Sequence, residues 1–239
     1  MSMYPSVSFI VPTFNEAESI GPCLDKIRAF SSKYKLDYEV VIVDSGSKDG
    51  TTEFLQNLIK DDDLTLIFQI DRLGMGVALR EAYESVTKDV ICHYECDQPF
   101  DLEFLIDALE QIKSKDYNFV LGARVGERHS PIRYLYTAGY RLFINLLFRV
   151  NYQTINFSFK VFSSDLLNKI NLQSSGWFID AELVIEAKKN GAQIKEIPID
   201  YLMRSEGQST VRWQDVFAIV KEALKYARNS NYRNTFSRN

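Results

Sequence analysis

The feature that most narrows the fold of this chain is a rhythm. Over roughly its first half, short continuous apolar runs alternate with amphipathic stretches. The runs are Val7–Val11, Glu39–Val43, Leu64–Ile70, Val90–Tyr94 and Phe119–Leu121. A strand that is apolar on both faces needs cover on both, and helical crossovers supply it. The pattern therefore predicts an α/β fold, a mostly parallel sheet flanked by helices. In such sheets ligands gather at the carboxyl ends of the strands. At those positions this sequence turns polar, acidic or glycine-rich.

After the fifth run the rhythm changes. Pro131 opens a helical pattern that reaches about Val150, followed by a strand-like Phe157–Phe162. A helix near Ala181–Lys189 is stopped by Asn190-Gly191, and a strand follows at Gln193–Ile197. A last helix, Val211 to Arg228, carries Trp213, Val216, Phe217, Val220 and Leu224 at helical spacing. From Asn229 the chain is polar with little to bury.

Composition excludes several classes. With 46% hydrophobic and 25% charged residues in 239, the chain can bury a sizeable core. A net charge of −4 and a pI near 5.4 argue against a dedicated nucleic-acid binder, which carries a clustered basic excess. Cys23, Cys92 and Cys96 form no C-x-x-C pair, and two histidines add little. Neither a zinc site nor a disulfide framework is expected, which fits a reducing compartment. The opening residues lack the pattern of a secretory leader, and no run of about 18 apolar residues could span a bilayer. The expected location is cytoplasmic, free or peripheral on the cytoplasmic membrane face.

The strand ends carry the chemistry. The first run leads into Pro12-Thr13-Phe14-Asn15-Glu16, and the second into Asp44-Ser45-Gly46-Ser47-Lys48-Asp49-Gly50-Thr51. Asp44 leaves its strand where a carboxylate could accept hydrogen bonds from a base or ribose, with Gly46 and Gly50 allowing close ligand approach. Plain helix capping by Ser47, Asp49 and Thr51 explains the same residues equally well. The fourth run delivers Glu95-Cys96-Asp97, then Gln98-Pro99-Phe100-Asp101. Residues two apart on an extended strand share a side, so Glu95 and Asp97 can converge. Two carboxylates are hard oxygen ligands suited to Mg²⁺ or Mn²⁺, ions that keep some water and bind substrate phosphates. Cys92 and His93 read as strand residues, and Arg72 and Arg80, flanking Gly74-Met75-Gly76, as surface residues. A nicotinamide-binding fold fits poorly, because Pro12-Thr13-Phe14-Asn15 stands where G-x-G-x-x-G is needed.

The order of these segments, with Leu73-Gly74-Met75-Gly76-Val77-Ala78 between them, resembles family-2 glycosyltransferases of the GT-A fold, and within them the dolichol-phosphate mannose synthase group. The likeness continues through Gly122-Ala123-Arg124, Glu196-Ile197-Pro198-Ile199 and Arg204-x-x-Gly207-x-Ser209. It implies a single glycosyltransferase domain over 1–228, with a nucleotide-sugar and metal half at 1–101, an acceptor half at 102–228, and a polar tail at 229–239. It implies that Pro12, Phe14, Glu16, Ile42, Asp44, Cys96 and Ser209 bind the donor, and that Glu95 and Asp97 hold the metal. Arg124 and Arg204 would meet donor or acceptor phosphates, as bidentate guanidinium donors suit a diphosphate leaving group. The chain departs from the family pattern at Glu95, where Asp is usual, and at Thr210, where Lys is frequent. It departs again at Asn156-Phe157-Ser158-Phe159-Lys160, the segment bearing on the acceptor.

The acceptor is expected to be a polyprenyl or dolichyl phosphate at a membrane surface, receiving a hexose from a donor of the GDP-mannose or UDP-glucose type with inversion. Arg133, Thr137, Arg141, Asn145 and Arg149 recur every four residues in 131–150, with Leu135, Ala138, Leu142, Phe143, Leu146 and Leu147 filling the rest. Such a basic amphipathic helix can lie in a membrane interface or pack on the domain with its arginines in water. A phosphate acceptor is already anionic near neutral pH and needs no strong base. A sugar-hydroxyl acceptor would need one, with Asp101, Asp180 or Glu182 as candidates. A non-catalytic relative that only binds nucleotide sugars is the alternative of another class.

Overall fold

The structure, a computed structural model, describes residues 3–97, 100–125, 131–200 and 213–229. Seven strands form one sheet. β1 (Val7–Thr13), β2 (Tyr38–Asp44), β3 (Leu64–Phe68), β4 (Val90–His93), β5 (Phe119–Val125), β6 (Lys160–Ser163) and β7 (Ile194–Asp200) lie in the order β3-β2-β1-β4-β6-β5-β7. All pairings are parallel except those of β6, which runs antiparallel between β4 and β5. The expected mostly parallel sheet is present. The run at Phe157–Phe162 becomes a strand only from Lys160.

The central strands are apolar on both faces because both are covered. Phe9 and Val11 of β1, with Val40 and Ile42 of β2, face α1 (Ile20–Tyr34), α2 (Thr51–Gln56) and α4 (Phe104–Lys113). The alternate residues Ile10, Val41 and Val43 face α3 (Met75–Glu84), α5 (Pro131–Phe148), α7 (Ile179–Lys189) and α8 (Trp213–Asn229). A four-residue turn of helix, α6 (Ser164–Leu167), follows β6, capped by the Ser163 hydroxyl accepting from the Leu166 N–H. The period of two along each strand thus feeds two apolar layers on opposite faces of one sheet.

The chain order sets where a ligand can enter. From β1 it steps outward to β2 and β3, then returns across β1 to β4 on the other side. β1 and β4 are the topological switch point, and their carboxyl ends splay apart into a crevice. Thr13 is level with Asp44, and Ile10 with His93, so the turns after β1, β2 and β4 rise from the same edge.

At the sheet's opposite edge one ion-pair cluster anchors the entry to β3. Arg28 of α1 donates to Asp63 through Nε and Nη2, both at 2.9 Å, and to Asp61 at 2.6 Å, while Tyr38 Oη donates to Asp63 at 3.1 Å. Hydrogen bonding from Arg28 holds the Asp63 carboxyl below the usual range, outweighing its partial burial. A carboxylate whose pKa is lowered by folding stabilises the fold above its unfolded pKa, near 4, and loses that contribution as pH falls through the folded value. Asp63→Asn should therefore cost about 1 kcal/mol at pH 7, a modest figure because the pair is part-exposed, and the gap to wild type should close below pH about 4. Urea denaturation of both proteins across that range checks it.

Candidate active site

The two turns after β1 and β2 are laced together by side chains. Asn15 N–H donates to Ser47 Oγ at 2.8 Å, Glu16 N–H to Thr51 Oγ1 at 2.9 Å, and Ala17 N–H to Asp49 Oδ2 at 3.1 Å. Lys48 N–H returns to Asn15 Oδ1 at 2.9 Å. Asp49 also accepts from Thr51 Oγ1 and N–H, and although burial raises its pKa, these bonds and that from Ala17 bring it below the usual range. The polar residues of the Asp44–Thr51 turn therefore hold the Pro12–Glu16 turn in place. Asp44, 1% exposed, accepts from Ser47 Oγ at 2.5 Å and from Thr52 Oγ1. Gly46 sits at φ 72°, and a Cβ there would meet the Ile70 carbonyl oxygen at 2.9 Å, so its close approach is to the neighbouring turn.

The crevice above β1 and β4 is lined by Pro12, Thr13, Phe14 and Glu16 from the first turn, Ser45 from the second, and Glu95, Cys96 and Asp97 after β4. Arg72, Gly74, Met75 and Trp177 complete it. Of the expected donor and metal residues, Pro12, Phe14, Glu16, Glu95, Cys96 and Asp97 thus come together. Ile42 lies fully buried in the core of β2, and Asp44 lies beneath the turn; neither lines the crevice. Arg124, at the end of β5, stacks over the Phe157 ring at 4.7 Å, and Phe157 packs on Phe100, just beyond Asp97. Arg204 and Ser209 lie outside the described residues.

Arg72, expected at the surface, is exposed and also lines the crevice, its guanidinium 4.2 Å from the centroid of the Phe14 ring. Its position after β3, beside a glycine-rich turn, was the available signal. Trp177 carried none, since it comes from the far half of the chain. Cys96 is buried against Thr13, their Sγ and Oγ1 3.6 Å apart, and hydrogen bonding with Cys23, together with burial, pushes its thiol well above its ordinary pKa. It is a neutral wall. Cys92 and His93 are buried on β4, His93 bonded to Tyr83 Oη, as expected of strand residues.

Glu95 and Asp97 are the side chains here that fit a divalent cation. Among the described residues no group of three or more His, Cys, Asp and Glu could hold a metal. Two carboxylates leave most of an octahedral shell to water and phosphate oxygens, which is how Mg²⁺ is commonly held with a phosphorylated substrate.

The three candidate bases are all engaged elsewhere. Asp101 accepts from Glu103 N–H at 3.1 Å. Asp180 accepts from Lys160 Nζ at 2.7 Å, and Lys160, fully buried, also donates to the Phe157 carbonyl at 2.6 Å. Glu182, 0% exposed, accepts the N–H groups of Gln173 and Ser174, both at 2.8 Å. Burial raises its pKa against the opposing effect of those bonds.

With this geometry in view, the family model for glycosyl transferase family 2 matches residues 8–173. The chain belongs to glycosyl transferase family 2. It is 29% identical over 233 residues to the low-salt glycan biosynthesis hexosyltransferase Agl6 of Haloferax volcanii, covering 93% of this chain and 55% of that protein. It is 23% identical over 212 residues to the dolichyl-phosphate beta-glucosyltransferase ALG5C of Trichomonas vaginalis, covering 81% and 63%. The chain spans between a third and two thirds of the length of the curated relatives it matches. Its fold is shared with glucosyl-3-phosphoglycerate synthase of Mycobacterium tuberculosis, solved with Mn²⁺, UDP and phosphoglyceric acid. There the TM-score is 0.72 at 15% identity, over 95% of this chain and 78% of that one.

In this family-2 chain the Lys160–Asp180 pair gives a test of what holds the far side of the site. Removing one partner of a buried pair leaves an uncompensated charge and typically costs about 3–5 kcal/mol. Asp180→Ala should destabilise the protein on that scale, and adding Lys160→Met should recover most of the loss. Chemical denaturation of both variants decides it, and an unaffected single mutant would reject the pairing.

Proposed function

We propose that this glycosyltransferase moves a hexose from a nucleotide-diphosphate donor to a polyprenyl or dolichyl phosphate at a membrane surface, inverting the anomeric carbon. The observation that carries the donor assignment is the crevice at the β1/β4 switch point, with the Glu95 and Asp97 carboxylates on one wall and Arg72 stacked on Phe14 on another. Pro12, Phe14 and Glu16 receive the nucleotide, and Ile42 and Asp44 support them from behind. The base is shielded by Phe14, while Arg72 offers charge to phosphate. An oxygen of the acceptor phosphate attacks the anomeric carbon as the bond to the donor diphosphate breaks, and the nucleoside diphosphate leaves with the electron pair. Glu95 and Asp97 would hold Mg²⁺ or Mn²⁺, which supplies positive charge to that departing diphosphate. Arg124 and Arg204 meet phosphate groups of donor or acceptor, and Ser209 assists on the donor side.

The engagement of Asp101, Asp180 and Glu182 in local bonds favours a phosphate acceptor over a sugar hydroxyl. A phosphate monoester, with a second pKa near 6, needs no base of that kind. The relationship to a protein named as a dolichyl-phosphate glucosyltransferase points the same way.

The membrane reading rests on α5. Arg141 is exposed, and beside it Leu142 is 59% and Leu146 71% exposed, while Ile144 and Phe148 are buried beneath them. Asn145, expected on the basic stripe, instead bonds Tyr152 through both its amide atoms. The side chains of Arg133 and Thr137 lie outside the described part of the structure. No helix among the described residues is long and apolar enough to cross a membrane. Leucines beside arginine on a helix surface suit shallow burial at an anionic interface.

Two outcomes are expected. Asp97→Asn should lower transfer by about a hundredfold or more while leaving the melting temperature unchanged, since a group that stabilises developing charge is worth that much. Assay with GDP- and UDP-sugars, Mg²⁺ or Mn²⁺ and a short polyprenyl phosphate measures it; activity within about threefold of wild type, roughly 0.6 kcal/mol of barrier, would reject the role. Glu95→Asp, keeping the charge, should be much milder. Separately, Leu142→Asp with Leu146→Asp should release the protein from anionic vesicles in flotation, because each buried leucine contributes up to about 2 kcal/mol. Equal flotation of variant and wild type would reject interfacial binding by this face.

A further inference from the structure

The crevice has an asymmetry. Of its lining residues among those described, all but one come from the first half of the chain, from turns after β1, β2, β3 and β4; the exception is Trp177. It arrives on the segment between β6 and α7, and that segment is clasped at several points.

On one side stand Gly74 and Gly76. A Cβ on Gly74 would lie 2.3 Å from the Ser175 carbonyl oxygen, and one on Gly76 would lie 2.2 Å from that of Ser174. Both contacts are shorter than any side chain tolerates, so only glycine lets the two backbones touch. Gly76 N–H donates to Ser175 O at 3.0 Å, tying the donor-side turn directly to the incoming segment. On the other side stand two carboxylates. Fully buried Glu182 takes the N–H groups of Gln173 and Ser174, and Glu222 of α8 takes that of Gly176 at 3.2 Å. A carboxylate buried on α7 and satisfied by two backbone donors is costly to install and hard to displace, since moving the segment would strand it without partners. Every backbone N–H from Gln173 to Gly176 but one is thereby spoken for, and Trp177 follows immediately.

We infer that Trp177 is the specificity-determining wall for the transferred sugar ring, and that Glu182 is a positioning residue that holds it there. The inference rests on the donor reading above. The nucleotide end of the crevice is built by Pro12, Phe14 and Glu16, and the diphosphate end by Glu95 and Asp97 with Arg72. An indole at the place where the acceptor half meets that crevice offers a flat apolar face to the C–H face of a pyranose, with a ring N–H left to bond a hydroxyl. Specificity among hexoses then depends on a residue whose position is set by buried hydrogen bonds and not by the loop's own preferences.

The test uses the full chain in a Trp213→Phe background, which leaves Trp177 as the one tryptophan, because the sequence contains two. Fluorescence and calorimetric titrations with UDP, UDP-glucose, GDP and GDP-mannose, in Mn²⁺ or Mg²⁺, identify the nucleotide pair that binds. Measured by calorimetry with Trp213 retained, Trp177→Ala should then weaken binding of the sugar nucleotide by about tenfold, or 1.4 kcal/mol, and leave the sugar-free diphosphate within about threefold. Trp177→Phe should fall between. Glu182→Gln, which turns an amide N–H₂ toward backbone donors, should reproduce that split and shift the Trp177 emission maximum to the red as the ring gains water. Equal weakening of both ligands by Trp177→Ala, or no effect on either, overturns this inference alone. A wild-type protein that binds none of the four nucleotides overturns it together with the donor assignment. Should Glu182→Gln fail to fold, the Trp177 variants still decide the ring's role, and Glu182→Asp, which keeps the charge but shortens the reach, decides the positioning: an unshifted emission maximum and an unchanged ligand split reject it.

Discussion

The parallel pairing of β1 with β2 on one side and β4 on the other is the constraint on which the rest of the molecule depends. Because β1 is central and bonded on both edges, its residues must be apolar on both faces, and helices must cover both. Because the chain leaves β1 in one direction and returns to the other side, the strand ends part at one point only between these elements, and the crevice forms there. Phe14, Ser45 and Asp97 are close in space for that topological reason, although they are far apart in the chain.

Turns that long would not hold a ligand site by themselves. Their stiffness comes from side chains acting across turns: Ser47, Asp49 and Thr51 accept the backbone N–H groups of Asn15, Ala17 and Glu16. The usual contrast between capping residues and functional residues dissolves here. The Asp49 carboxylate that accepts the Thr51 N–H at the start of α2 also accepts that of Ala17 at the wall of the crevice, so its contribution to function runs through backbone geometry.

The second half of the chain is fastened to the first by fewer but more deeply buried polar links. Lys160 begins β6 inside the protein and is balanced by Asp180 and the Phe157 carbonyl. Glu182, one helical face away, binds the segment before its own helix. Buried charges survive only when their partners are in place, so these links couple the position of α7 to that of the strands beneath it. The segment Asn156–Lys160 is thus an internal brace at Lys160 and an aromatic platform for Arg124 at Phe157.

By itself the sequence determined the fold class, the strands of the first half, and the residues that turn acidic or polar at their ends. Those follow from periodicity and from local turn chemistry, which act over a few residues and can be read from them. It also set the family through the order of its motifs. What only the tertiary structure decided was which of those residues share one space. Asp44 and Ile42 were expected at the nucleotide; only the structure shows that Ile42 is buried in β2 and that the Asp44 carboxylate accepts from Ser47 and Thr52. Arg72 is at the surface as expected, but only the turn after β3 lays it on Phe14 at the crevice. Glu182 looked like an available base until the packing of α7 buried it under the Gln173–Ser174 backbone. Trp177 was invisible, because it reaches the crevice only where Gly74 and Gly76 let a segment far along the chain touch their backbone. Long-range contacts of this kind depend on how helices pack on a finished sheet, and no local pattern encodes them.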